Sequence, residues 1–77
     1  MNKTIPKLTI KQKKTLEAIE YFIEKYKYSP TYREIAKLLN IDVSQVFKSV
    51  MLLEEKGYVS TKNGKARSII ILRGDYD

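Results

Sequence analysis

The sequence predicts a mostly α-helical domain with a small β-hairpin at its C-terminal end. Apolar residues recur at helical spacing in three successive stretches between Thr9 and Lys56, each opened by a capping pattern. Only Asn40-Ile41-Asp42 separates the second stretch from the third, which leaves room for a tight turn and nothing more. Beyond Gly57 the pattern changes to two β-prone runs joined by a segment that contains Asn-Gly.

Thr9 with Gln12 opens the first helix, in which Leu16, Ile19, Phe22, Ile23 and Tyr26 form one stripe and Lys13, Glu17, Glu20 and Glu24 lie opposite. Ser29-Pro30 breaks the pattern, because the residue before a proline is pushed out of the helical region and proline cannot extend a preceding helix. Thr31 with Glu34 opens the second helix, where Tyr32, Ile35 and Leu39 share a face flanked by Ala36 and Leu38. Ala36 is small enough for another helix to approach closely. Asn40 tolerates the left-handed conformation that stops a helix. Asp42 with Gln45 repeats the capping pattern at the third helix, about Val43 to Lys56. Its inner stripe is Val43, Val46, Val50 and Leu53, and its outer side holds Ser44, Lys48 and Glu55, flanked by Gln45, Met51 and Leu52 with Phe47 at the boundary. Gly57 is the residue usual just past a helix end. Tyr58 to Thr61 and Ser68 to Leu72 are the hairpin strands, with Asn63-Gly64 as the turn cue between them.

A chain of 77 residues makes one domain over residues 1–77, with an ordered core over about 8–73 and a flexible tail over 74–77. A chain this short buries only roughly 60 to 65% of its unfolded surface, so a deep substrate cleft is not expected. Cys and His are both absent, which excludes disulfides, thiolate zinc sites and histidine catalysis, and no cofactor or metal is expected. Of the remaining catalytic groupings, Asp75 and Asp77 lie in a tail that cannot hold geometry, so an enzyme is not expected. Apolar runs such as Ile69 to Leu72 are too short to span a bilayer and the N-terminus lacks the core of a signal peptide, which points to the cytoplasm.

The net charge of +6 gathers at two places. Lys3, Lys7, Lys11, Lys13 and Lys14 occupy an N-terminal stretch without an acid, and Lys62, Lys65 and Arg67 occupy a second such stretch between Tyr58 and Leu72. Basic charge collected in this way is the footprint of a polyanion binder, although excess lysine also keeps small domains soluble.

Three helices followed by a hairpin, with a tight turn between the second and third, is the order of a winged helix-turn-helix; other small α+β domains share the periodicity. In that arrangement the outward side chains at the start of the third helix reach base edges. They are Ser44, Gln45 and Lys48, with Phe47 and Ser49 as neighbours. Gln bonds adenine bidentately, Lys donates to guanine, Ser serves either, and Phe contacts a thymine methyl. Lys62, Lys65 and Arg67 at the hairpin tip suit a phosphate backbone, and Arg33 suits a phosphate near the start of the second helix. Each residue taken singly also reads as a solvated helix face or a guard on a strand edge. Tyr21, Tyr26, Tyr28, Tyr32 and Tyr58 read as edges of the core rather than stacking platforms, and Met51 with Leu52 could form a partner surface.

LTIKQKKTLEAI in the first helix, SPTYREIAKLL in the second, LEEKGYVS after the third and NGKARSIIIL in the hairpin together resemble the DNA-binding domain of the LexA repressor family, over Leu8 to Leu72. The resemblance implies a winged helix-turn-helix that binds operator double-stranded DNA as a repressor, third helix in the major groove, at the bacterial nucleoid. Ile41 to Ser49 is about one residue shorter than is usual in the family, and its groove Asn and acidic residues are not reproduced, which implies a different operator. The family's self-cleaving domain, with its Ser-Lys dyad and dimerising role, has no counterpart in these residues, nor is there an Ala-Gly dipeptide. The expectation is a stand-alone small regulator such as phages and mobile elements encode. A homodimer on DNA is left open and no small-molecule ligand is evident. The other class kept open is a protein-binding winged helix acting on a host repressor or the transcription machinery through Phe47, Met51 and Leu52.

Overall fold

The computed structural model describes residues 7–62 and 64–74. Helices α1 (Ile10–Tyr26), α2 (Tyr32–Leu39) and α3 (Val43–Glu55) precede strands β1 (Val59–Ser60) and β2 (Ile70–Ile71). The strands pair antiparallel, Val59 opposite Ile71 and Ser60 opposite Ile70. This is the mostly α class with a small β-hairpin, arranged as a winged helix-turn-helix. The ladder is shorter than the β-prone runs, because Thr61 on one side and Ser68 and Ile69 on the other leave it for the wing. The expected Asn-Gly turn falls partly outside the described residues at Asn63; Gly64 takes φ 75°.

Two of the three expected capping boxes form. Thr9 Oγ1 accepts from the Gln12 amide and the Thr9 amide donates to Gln12 Oε1, both at 3.1 Å. Thr31 Oγ1 accepts from the Glu34 amide at 3.1 Å while the Thr31 amide donates to Glu34 Oε1 at 2.9 Å. Asp42 stands at the head of α3 without a side-chain cap bond. The Gln45 amide instead donates to the Asp42 backbone carbonyl at 3.0 Å, which satisfies the group that a capping carboxylate would have served.

The helix ends follow their sequence. At the end of α2, Asn40 sits at φ 57° and the Ile41 amide donates to the Ala36 carbonyl at 3.0 Å. At the end of α3, Gly57 sits at φ 84°, the Tyr58 amide donates to the Leu53 carbonyl at 2.9 Å and the Gly57 amide to the Glu54 carbonyl at 3.0 Å. Both are Schellman closures, in which a left-handed residue lets the last carbonyls find donors.

Leu16, Ile19, Ile35, Val46, Leu53 and Tyr58 are completely buried, joined by Val50, Val59 and Ile69. The core therefore draws on all three helices and on both limbs of the hairpin. Tyr58, expected at a core edge, lies at its centre. Lys56 fastens the end of α3 to the start of α1, its Nζ donating to Gln12 Oε1 and to the Lys7 carbonyl at 2.7 Å each. Gly74 lies beside Glu20 of α1, where a Cβ would come within 2.9 Å of the carboxylate, and the remaining tail lies outside the described residues.

The difference between the caps has a measurable consequence. Thr9→Ala is expected to cost about 1 kcal/mol of stability and Asp42→Ala a smaller amount, since only a charge near the helix terminus is lost there. Equilibrium urea unfolding of the two variants checks this; equal losses would mean that Asp42 caps α3 in solution.

Candidate nucleic-acid interface

Because Val46, Val50 and Leu53 are committed to the core, the side of α3 left in solvent is set. It carries Ser44, Gln45, Phe47 and Lys48, all exposed. Ser49, expected beside them, is only 8% exposed. It follows Val46 by three residues and so falls on the inner stripe, lining a cleft with Lys11, Lys14, Thr15, Leu38 and Gln45. Ser49 therefore leaves the group of outward side chains. The same cleft places Lys11 and Lys14, for which the sequence offered no contact, beside the first turn of α3.

Phe47 is 57% exposed yet held in place, its ring lying edge-on to Tyr32 at 4.4 Å between centroids and 70° between planes. Burial, and then the nearby Glu54 carboxylate, raise the pKa of the Tyr32 hydroxyl above its ordinary value of 10.0, so the phenol is neutral at physiological pH. Tyr32, Phe47 and Thr61 are shared by two adjoining grooves. One runs along α3 past Ser44, Gln45, Lys48 and Met51, and the other runs under the wing past Lys62 and Lys65. The outward face of α3 and the tip of the wing thus form one continuous surface.

The wing is fastened at both limbs. On the outgoing limb, Glu54 of α3 accepts from the Thr61 hydroxyl at 3.0 Å and from its amide at 3.3 Å. On the returning limb, the Ile69 amide donates to Ser29 Oγ at 3.0 Å. Within the loop, Ser68 Oγ donates to the Lys65 carbonyl at 2.9 Å and accepts from the Lys62 amide at 3.1 Å. Lys62 and Lys65 are exposed at the tip and Arg33 is exposed in the first turn of α2. Among the described residues none of Arg33, Lys48, Lys62 and Lys65 makes a salt bridge.

Arg67 differs from the other cations assigned to a phosphate contact. Its two terminal nitrogens donate to Glu34 Oε1 and Oε2 at 2.9 Å each, and Nη1 reaches the Ser29 carbonyl at 3.2 Å. The guanidinium also lies over the Tyr28 ring, 4.8 Å from its centroid. A planar fork paired bidentately with a carboxylate is already satisfied, so Arg67, although exposed, lies back along the protein surface with its charge paired to Glu34. Glu34, Ser29 and Tyr28 hold Arg67 in this position, although the sequence marked them only as a cap, a helix breaker and an aromatic edge.

A basic wing beside an exposed helix that follows a tight turn defines a winged helix-turn-helix of the nucleic-acid-binding kind. The chain belongs to the LexA DNA-binding domain family, whose sequence profile matches residues 5–68. It is 45% identical over 64 residues to the LexA repressor of Thermotoga maritima, covering 83% of this chain and 32% of that protein. Identity to the LexA repressor of Thermotoga neapolitana is 42% over 66 residues (86% and 34%), and to that of Leptospira biflexa 31% over 70 residues (91% and 35%). The chain spans about a third of the length of these relatives. Among the described residues no helix is long and apolar enough to cross a membrane, and no group of three or more His, Cys, Asp or Glu side chains could hold a metal ion.

The Arg67 guanidinium, followed by the Thr31 amide, pulls the Glu34 carboxyl below the ordinary glutamate value of 4.5. A carboxyl with a lowered pKa contributes its pairing at and above that ordinary value and loses it as pH falls through the lowered one. Carbon-13 titration of the Glu34 carboxyl should give a midpoint below 4.5 that moves back toward it in Arg67→Ala. A midpoint at the ordinary value in the unaltered chain would mean that the pair does not persist in solution.

Proposed function

We propose that the chain is a sequence-specific regulator of transcription that binds double-stranded DNA, a small LexA-like repressor of the kind phages and mobile elements encode. α3 enters the major groove and the wing follows the phosphate backbone. The observation that carries this reading is the continuous surface from Ser44, Gln45, Phe47 and Lys48 on α3 to Lys62 and Lys65 on the wing, whose cations make no salt bridge among the described residues. Membership of the LexA DNA-binding domain family supports it. In this reading Gln45, Lys48 and Ser44 read base edges, Phe47 meets a thymine methyl, and Arg33, Lys62 and Lys65 meet phosphates. Its place is then with the nucleoid in the bacterial cytoplasm. Since a monomer of this size covers about half of a symmetric site, two copies meeting on DNA is part of the same proposal.

A second reading, a winged helix that binds a protein partner, draws on the exposure of Phe47 at 57% and Met51 at 55%. Salt separates the two. With Arg67 paired internally, Arg33, Lys62 and Lys65 remain for phosphates, and log Kd against log salt between about 50 and 200 mM should have a slope of magnitude about 2.7. Fluorescence anisotropy against random and selected duplexes measures it. Gln45→Ala and Lys48→Ala should each cost about 1 to 3 kcal/mol on the selected site and little on random DNA, whereas Lys65→Ala should weaken both alike and lower the slope by about one. Negligible binding at the lowest salt would favour the protein-partner reading instead.

A further inference from the structure

We propose that Arg67 and Glu34 form a latch that holds the wing against the helix-turn-helix before any DNA arrives, and that Arg67 is a positioning residue rather than a phosphate contact. The affinity arm of this inference rests on the DNA-binding reading above. Three features converge on the latch. The Arg67–Glu34 pair is bidentate, with both bonds at 2.9 Å. The same Glu34 Oε1 also accepts from the Thr31 amide, so the acceptor is fixed at the head of α2 and does not move with the wing. Arg67 reaches it from a left-handed backbone, φ 54°, a conformation unusual for a residue with a side chain. That turn of the chain aims the guanidinium back across Tyr28 and onto the Ser29 carbonyl, while the Ser29 hydroxyl takes the Ile69 amide two residues further along.

A wing oriented in advance loses less freedom when it meets a phosphate backbone, so the latch raises affinity without releasing a counterion. A direct contact behaves otherwise: Arg67 would neutralise a phosphate, add to the salt slope, and be replaceable by lysine. A bidentate fork is not replaceable by the point charge of an ammonium.

The test uses Glu34→Gln, Arg67→Lys, Arg67→Ala and the double variant Glu34→Gln/Arg67→Ala in the full chain. Glu34→Gln keeps an acceptor for the Thr31 amide, as Gln12 does at the head of α1, and removes the charge that faces Arg67. Without DNA, the heteronuclear nitrogen-15 NOE of Gly64 and Lys65 should fall in every variant. With a random duplex, each single variant should bind about three- to fivefold more weakly, the double variant no worse than the single ones, and the salt slope should stay within about half a unit of the unaltered chain. A slope lower by about one in Arg67→Ala, with normal binding by Glu34→Gln and Arg67→Lys, would make Arg67 a phosphate contact and overturn the latch. An unchanged NOE in Glu34→Gln would overturn it too. Absence of duplex binding by the unaltered chain would refute the DNA-binding reading alone, and the NOE comparison would still decide the latch.

Discussion

Everything outward-facing in this domain depends on which side of α3 the core takes. A small chain has one core, and here Val46, Val50 and Leu53 meet Leu16 and Ile19 of α1, Ile35 of α2 and Tyr58 after Gly57 in a single buried cluster. With that side committed, the outer half of α3 follows from helix geometry alone: Ser44, Gln45, Phe47 and Lys48 have no inward alternative. Rotating α3 by one residue would bury Phe47 or Lys48 and expose a valine, and loss of several buried aliphatic groups, each worth about 1.5 to 3 kcal/mol, is more than a small domain tolerates. The solvent-facing surface of α3 is therefore the complement of the core.

The second organising feature is the double use of the capping residues. In both boxes the side chain that reaches back to its own helix start also accepts from a distant cation. Gln12 Oε1 takes Lys56 from the end of α3, and Glu34 takes Arg67 from the wing. Each such acceptor is immobilised by its cap, so the cation that docks on it is positioned relative to a helix terminus rather than to a mobile side chain. Lys56 closes α3 onto α1, and Arg67 closes the wing onto α2. Two local motifs thereby become anchor points for two of the contacts that tie the C-terminal half of the chain to the N-terminal half.

How much of this was readable in the sequence follows from the range of each interaction. The helices, the Thr9 and Thr31 boxes, and the Asn40 and Gly57 closures depend on residues within one turn of one another, and all were visible. The Asp42–Gln45 pattern has the same spacing yet forms no box, because the backbone carbonyl of Asp42 had already taken the amide in question. Ser49, three residues after Val46 and four before Leu53, falls on the inner stripe by spacing alone, and its polar side chain is what suggests an outward place. Arg67 was assigned to phosphate because a cation near a hairpin tip is usually solvated; its partner lies 33 positions away, and no periodicity links the two. The strands were overextended for a related reason: Ser68 and Ile69 look β-prone, but their hydrogen bonds go to the wing loop and to Ser29.

These contacts together settle what the wing can contribute. Its outgoing limb is fixed to α3 through Glu54 and Thr61, and its returning limb to the segment before α2 through Ser29 and to the first turn of α2 through Glu34. The separation between Lys65 and Lys48 is then a property of the protein, and a duplex that meets both must present a groove and a flanking backbone at that separation. Lysines on a loose loop would add affinity to any polyanion. In the proposed DNA-binding reading, lysines on a braced loop would favour duplexes whose groove width matches, so that the same charge would also respond to DNA shape. Pairing Arg67 with Glu34 takes one positive charge out of the unpaired set and ties the loop that carries Lys62 and Lys65 to the first turn of α2.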